Sequence, residues 1–150
     1  MSTENTINET TNPACFLGAV MPSCLRLSLK TKWFEMTRAG IKTEDYREIN
    51  EYWIRRLTNC ITDLTEAKNE LIKGGKAAIE KYPSLLDIPD HFTPKKFDIN
   101  VMTLGYPSNN DKERILKIEH KGIRIRTGKP EWGAESNKLY FVIMHGAILA

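Results

Sequence analysis

The chain has 150 residues, 41% of them hydrophobic and 27% charged, a balance that suits one globular domain with a buried core. No apolar run approaches the roughly 18 to 20 residues of a membrane span, and the N-terminus lacks a basic segment followed by an apolar stretch. Insertion and secretion are therefore not indicated, and a cytoplasmic protein is expected. The net charge of +3 sits in two blocks: residues 24–60 carry eight Lys or Arg against five Asp or Glu, and residues 111–129 carry seven against three. Such blocks suit a polyanion, or are no more than solvated faces.

Residues 1–23 are rich in Thr, Asn, Ser and Glu without hydrophobic pattern, so a mobile arm is expected there, and a product starting at Met21 would lose only that arm. In residues 25–30, Leu25, Leu27 and Leu29 alternate with Arg26, Ser28 and Lys30, the period of a strand with one buried face and Lys30 turned away from it. A short helix follows, with Thr31 as a possible N-cap, apolar Trp33, Phe34 and Met36, and Gly40 as its stop. The chain then returns as an extended piece through Tyr46 and Arg47 and enters a helix carrying Tyr52, Trp53, Ile54 and Leu57, with Arg55 and Arg56 on its other side.

Residues 63–81 hold Leu64, Ala67, Leu71 and Ile72 at helical spacing, interrupted by Gly74 and Gly75, and a Pro-containing loop follows. Strands dominate the second half. Phe97, Ile99 and Val101 alternate, Ile115, Ile118, Ile123 and Ile125 punctuate the second basic block, and residues 139–149 read as a buried strand. The first strand pairing with these late ones, with helices between, gives an α+β fold able to close as a barrel.

Cys15, Cys24 and Cys60 are odd in number and widely spaced, which favours reduced thiols. No CxxC pair occurs, and His91, His120 and His145 are far apart in sequence. No metal and no cofactor are therefore expected, short of a site assembled by folding.

Unusual residues are densest in residues 30–49, where Lys30, Lys42 and Arg47 mix with Trp33, Phe34 and Tyr46 around Gly40. Cations bind phosphate and aromatic faces stack on bases, so the mixture suits a nucleotide unit; core packing is the alternative, favoured for Phe34.

Residues 40–47, GIKTEDYR, resemble the GxKxxExR pattern of the ASCH domains, a branch of the PUA-like superfamily, with Gly40, Lys42 and Arg47 in place and Asp45 where the pattern has Glu. The stretches at 27–36 and 47–57, the LGY at 104–106, the PEWGAE at 130–135 and the YFVI at 140–143 look like further landmarks of the phage and prophage variety, so the likeness spans about residues 24–150. It implies a small PUA-like β-barrel with peripheral helices, a helical insertion at about 61–92, and a cleft for RNA or a modified nucleoside. On that implication Lys30, Lys42 and Arg47 contact phosphate or a base carbonyl, and Asp45 positions Lys42 or Arg47 or accepts from an exocyclic amine. Trp33, Tyr46 and Trp132 are the stacking candidates, and Arg56 with Lys117, Lys121, Arg124 and Arg126 extends a backbone track. Tyr106 and Trp132 stand either at a cleft rim or as barrel plugs.

Some relatives of these domains are hydrolases. A branch that deacylates acetylated cytidine uses a lysine, a threonine three residues later and a downstream glutamate; Lys42 matches, Asp45 replaces the threonine, and Glu119 is the downstream acid at hand. A carboxylate at 45 tends to keep Lys42 charged, against its use as a base. Ribonuclease chemistry would draw on Lys30, Lys42, Asp45, Tyr46 and His120. RNA or nucleotide binding ranks first, hydrolysis of a modified nucleoside or RNA second, and binding of a host protein through the insertion third.

Overall fold

The computed structural model describes residues 21–59, 69, 72 and 94–149. The expected arm and insertion lie outside these, apart from residues 21–23 and from Asn69 and Ile72, which are both helical. The described chain is mixed α and β. Its strands are β1 (Cys24–Leu29), β2 (Glu44–Arg47), β3 (Ile99–Leu104), β4 (Ile115–Thr127) and β5 (Leu139–Ile148), and its α-helices are α1 (Thr31–Arg38) and α2 (Glu51–Leu57). The strands join in one sheet in the order β1-β3-β4-β5-β2, so the first strand does pair among the late ones. The chain divides into two compact units: the first is Met1–Thr43, Lys96–His120 and His145–Ala150, the second Glu44–Lys95 and Lys121–Met144. Both β4 and β5 contribute to each.

In the first unit β1 runs parallel to β3, Cys24 opposite Ile99 and Leu29 opposite Leu104, and buries Leu25, Leu27 and Leu29 as their alternation predicts. α1 packs on β3 and buries Phe34 completely. It ends where the sequence places its stop: Gly40 takes φ 77°, its N–H donates to the Thr37 carbonyl and the Ile41 N–H to that of Met36, the paired bonds of a Schellman cap. Cys24 is disulfide-bonded, which corrects the reading of reduced thiols; its partner lies outside the described residues.

β3 departs from simple alternation, since Ile99 through Thr103 are all buried. Its polar members are satisfied internally. Thr103 Oγ1 donates to the Gly105 carbonyl at 2.9 Å, and the fully buried Asn100 takes His120 Nδ1–H on its Oδ1 at 2.7 Å while its Nδ2 donates to His145 Nδ1 at 2.8 Å. One amide thus joins three strands and fixes the tautomer of both rings.

In the second unit β2 runs antiparallel to β5, Glu44 opposite Met144 and Arg47 opposite Phe141. α2 starts on an Asn50 cap whose Oδ1 accepts from Trp53 N at 2.9 Å, and buries Ile54 and Leu57. Leu139 through Ile143 of β5 are all buried. Along β4 the buried set moves from even positions (Leu116, Ile118) to odd ones (Ile123, Ile125), so the buried side of the strand changes around 119–122.

Burial holds the His120 imidazole below its ordinary value of 6.5, against an opposing pull from the Asp98 carboxylate. The folded chain therefore binds this proton less readily than the unfolded chain. The stability tied to neutral His120 is complete above pH 6.5 and is lost as pH falls through that value towards the lowered one. Melting temperatures recorded from about pH 7.5 to about pH 5.5 should fall, and fall less in His120→Gln; equal slopes in the two proteins would refute the assignment.

Candidate functional site

Successive side chains of a strand point to opposite faces, so the four residues of β2 divide into two pairs. Glu44 and Tyr46 share one face. There Arg126 of β4 ion-pairs with the Glu44 carboxylate, the Tyr46 hydroxyl donates to Glu44 Oε1 at 2.7 Å and accepts from Lys129 N at 3.0 Å, and the Tyr46 ring lies 5.7 Å from that of Tyr140. Gly128 lies against that ring so closely that an added Cβ would stand 2.8 Å from it, leaving glycine alone able to fit. Burial pushes the Tyr46 phenol above its ordinary range, the Lys129 N–H opposes this and Glu44 adds to it, so the hydroxyl stays protonated. This face is a lock between β2, β4 and the turn that follows β4.

Asp45 and Arg47 share the other face. Arg47 Nε donates to Asp45 Oδ2 at 2.8 Å, with both side chains largely buried. The guanidinium lies over the indole of Trp53 at 5.0 Å, and that of Arg56, one turn further along α2, lies over the same indole at 5.2 Å. Arg56 also donates to the Tyr52 hydroxyl at 3.3 Å, and the Tyr52 and Trp53 rings meet edge to face at 4.9 Å. Helical spacing dictates this set: Ile54 and Leu57 turn inward, and Tyr52, Arg55 and Arg56 turn outward at separations of three and four.

Beside these residues an open hollow of about 560 Å³ is lined by Glu51, Tyr52, Arg55, Arg56 and Lys95. Lys95 is placed by its Nζ, which donates to the Arg55 carbonyl at 2.9 Å, and by its N–H, which donates to that of Leu57 at 2.8 Å. Tyr52 is 61% exposed. Guanidinium and ammonium groups offer donors to phosphate oxygens, and the exposed ring offers a face to a base.

Of the residues singled out from sequence, Arg47 and Arg56 meet on Trp53, while Tyr46 and Arg126 belong to the lock on the opposite face of β2. Trp132 is half-buried in the turn Pro130–Trp132, with Lys129 Nζ 4.2 Å from its ring centre. Lys30, Trp33, Lys42, Tyr106 and Glu119 fall in the first unit. Lys30 is exposed at the start of α1, Trp33 is half-buried under Lys32, and Tyr106 is exposed after Gly105. Lys42 is 2% exposed, an interior group and not a surface cation. Glu119 Oε1 accepts from Ala147 N at 3.3 Å.

Sequence reasoning does not pick out Tyr52, Arg55, Glu51 or Lys95 as ligand residues. Helical periodicity exposes the first three, whereas Lys95 reaches the hollow only through tertiary folding. Among the described residues no three His, Cys, Asp or Glu gather as a metal site, and no helix is long and apolar enough to cross a membrane.

Tyr46→Phe removes the hydroxyl that serves both Glu44 and Lys129. A drop of about 1 to 3 kcal/mol is expected in urea unfolding, with the midpoint lowered and the m-value unchanged. An unaltered midpoint would show that the lock contributes nothing. No known family, curated protein or solved structure matches the chain.

Proposed function

We propose that this protein binds single-stranded RNA or a nucleotide unit through the α2 face. One observation carries the reading: Arg56, oriented by the same Trp53 indole on which Arg47 packs, lines a hollow together with Arg55, Lys95 and the exposed Tyr52. Pre-positioned donors lose less freedom on binding than mobile ones, so this arrangement favours an anion more than the same residues scattered on a surface would. The resemblance of GIKTEDYR to the ASCH pattern supports the same ligand class and would make the sheet part of a PUA-like barrel. In this reading Arg47, the last residue of that pattern, is its link to the site, and Asp45 acts by holding Arg47.

Hydrolysis finds less support. Asp45 is engaged by Arg47 at 2.8 Å, and so is committed to positioning a guanidinium instead of assisting an attacking group. Binding of a host protein through residues 61–92 concerns a segment of which only Asn69 and Ile72 are described.

Fluorescence anisotropy with a labelled single-stranded RNA at two salt concentrations tests the proposal. The double variant Arg55→Gln, Arg56→Gln should bind about tenfold more weakly or worse, with the salt slope flattened by about 0.7 for each phosphate that it no longer neutralises. Wild-type binding that ignores salt, or a double variant that binds as the wild type does, would sink the reading.

A further inference from the structure

We infer that the hollow beside α2 selects a phosphomonoester, the terminal phosphate of an RNA strand or of a free nucleotide, over the diesters inside a strand. The inference rests on the nucleic-acid reading above and adds to it the ligand's chemical form.

Three observations carry it. The first is charge. Among the described lining residues three are cations, Arg55, Arg56 and Lys95, and one is a carboxylate, Glu51. A phosphomonoester bears about −1.5 to −2 at neutral pH, since its second ionisation falls near pH 6. A diester bears a single charge and gains less from the same donors.

The second is size. A volume of about 560 Å³ lies within the roughly 300 to 1,000 Å³ of pockets that enclose a small molecule. It has room for one nucleotide at a strand end.

The third is the state of the donors. Arg56 is oriented by the Tyr52 hydroxyl and the Trp53 ring, and Lys95 by the Arg55 carbonyl. Arg55 is exposed and joins no ion pair among the described residues, and neither does Glu51, although the two stand four apart on the helix. Two charges of opposite sign that leave each other alone are each available to a ligand carrying both kinds of partner. A nucleotide does so: its phosphate oxygens accept from Arg55, Arg56 and Lys95, its ribose hydroxyls donate to Glu51, and its base lies on Tyr52.

The full chain should be titrated by anisotropy with one short RNA prepared in 5′-phosphate, 3′-phosphate and all-hydroxyl forms, and with a nucleoside monophosphate against its nucleoside as competitors. A phosphorylated end, 5′ or 3′, is expected to bind at least about tenfold tighter than the hydroxyl form, well beyond the small gain that one more charge gives to loose electrostatic binding. The preference should shrink below about pH 6 as the monoester loses its second charge. It should also collapse in Arg55→Gln and in Lys95→Gln, with circular dichroism confirming that each variant is folded. The two competitors separate a free nucleotide from a strand end as the source of the phosphate. Equal affinity for phosphorylated and hydroxyl strands would overturn the inference and leave RNA binding standing. No binding of any strand would remove both.

Discussion

Arg47 is held by the Asp45 carboxylate at 2.8 Å on its own strand and by the indole of Trp53 on α2, and so ties β2 to the helix that lines the hollow. From buried Asp45 the chain of neighbours runs through Arg47 to Trp53, from Trp53 to Arg56, and from Arg56 to the Tyr52 hydroxyl. Each link limits the next. A guanidinium fixed at its Nε by a carboxylate keeps its plane, and a ring packed under that plane loses its own rotational freedom. Removing one partner of a buried pair typically costs about 3 to 5 kcal/mol, because the remaining charge is left without compensation. Asp45 is therefore tied to the hollow without lining it.

Two neighbouring carboxylates, Glu44 and Asp45, are 6% and 5% exposed, and burying both would be unfavourable if they faced each other. The pleat resolves this. Glu44 turns to one face of β2 and meets Arg126, while Asp45 turns to the other and meets Arg47. Each acid has its own guanidinium. The cost of removing these charges from water is offset twice and independently, by partners that arrive from different parts of the chain. The four residues EDYR thus act as a two-sided fastener, with the turn after β4 on one side and α2 on the other.

Much of the local structure is legible in the sequence because it rests on short-range rules. The Leu25, Leu27, Leu29 alternation, the Gly40 stop and the turning inward of Ile54 and Leu57 depend on neighbours within one strand or one helical turn. The site is legible only in part. Residues 30–49 read as one cation and aromatic cluster, yet a linear sequence does not say which face each residue takes, and β2 sends Tyr46 and Arg47 to opposite sides. Asn100 falls between Ile99 and Val101 in that strand's alternation, and its two histidine partners, 20 and 45 residues away in sequence, have no local signature. The change of buried side along β4 has no local signature either, since Leu116 with Ile118 and Ile123 with Ile125 each alternate by themselves.

The charge count of the two basic blocks also overstates what a polyanion meets. Arg126 is committed to Glu44, Arg47 to Asp45, and Arg114 to the Leu104 carbonyl and Asp111. The first two are held by buried carboxylates, which offset their charge. The described lining of the α2 hollow takes its cations from Arg55 and Arg56, which the helix turns away from Ile54 and Leu57, and from Lys95, which comes from a stretch outside both blocks. A net charge of +3 would be a weak argument for nucleic-acid binding if it were spread evenly. Three cations drawn into one hollow make a local field that the total does not reveal. For an anionic ligand, the decisive quantity is the number of donors left facing the same space once the fold has satisfied its own buried acids.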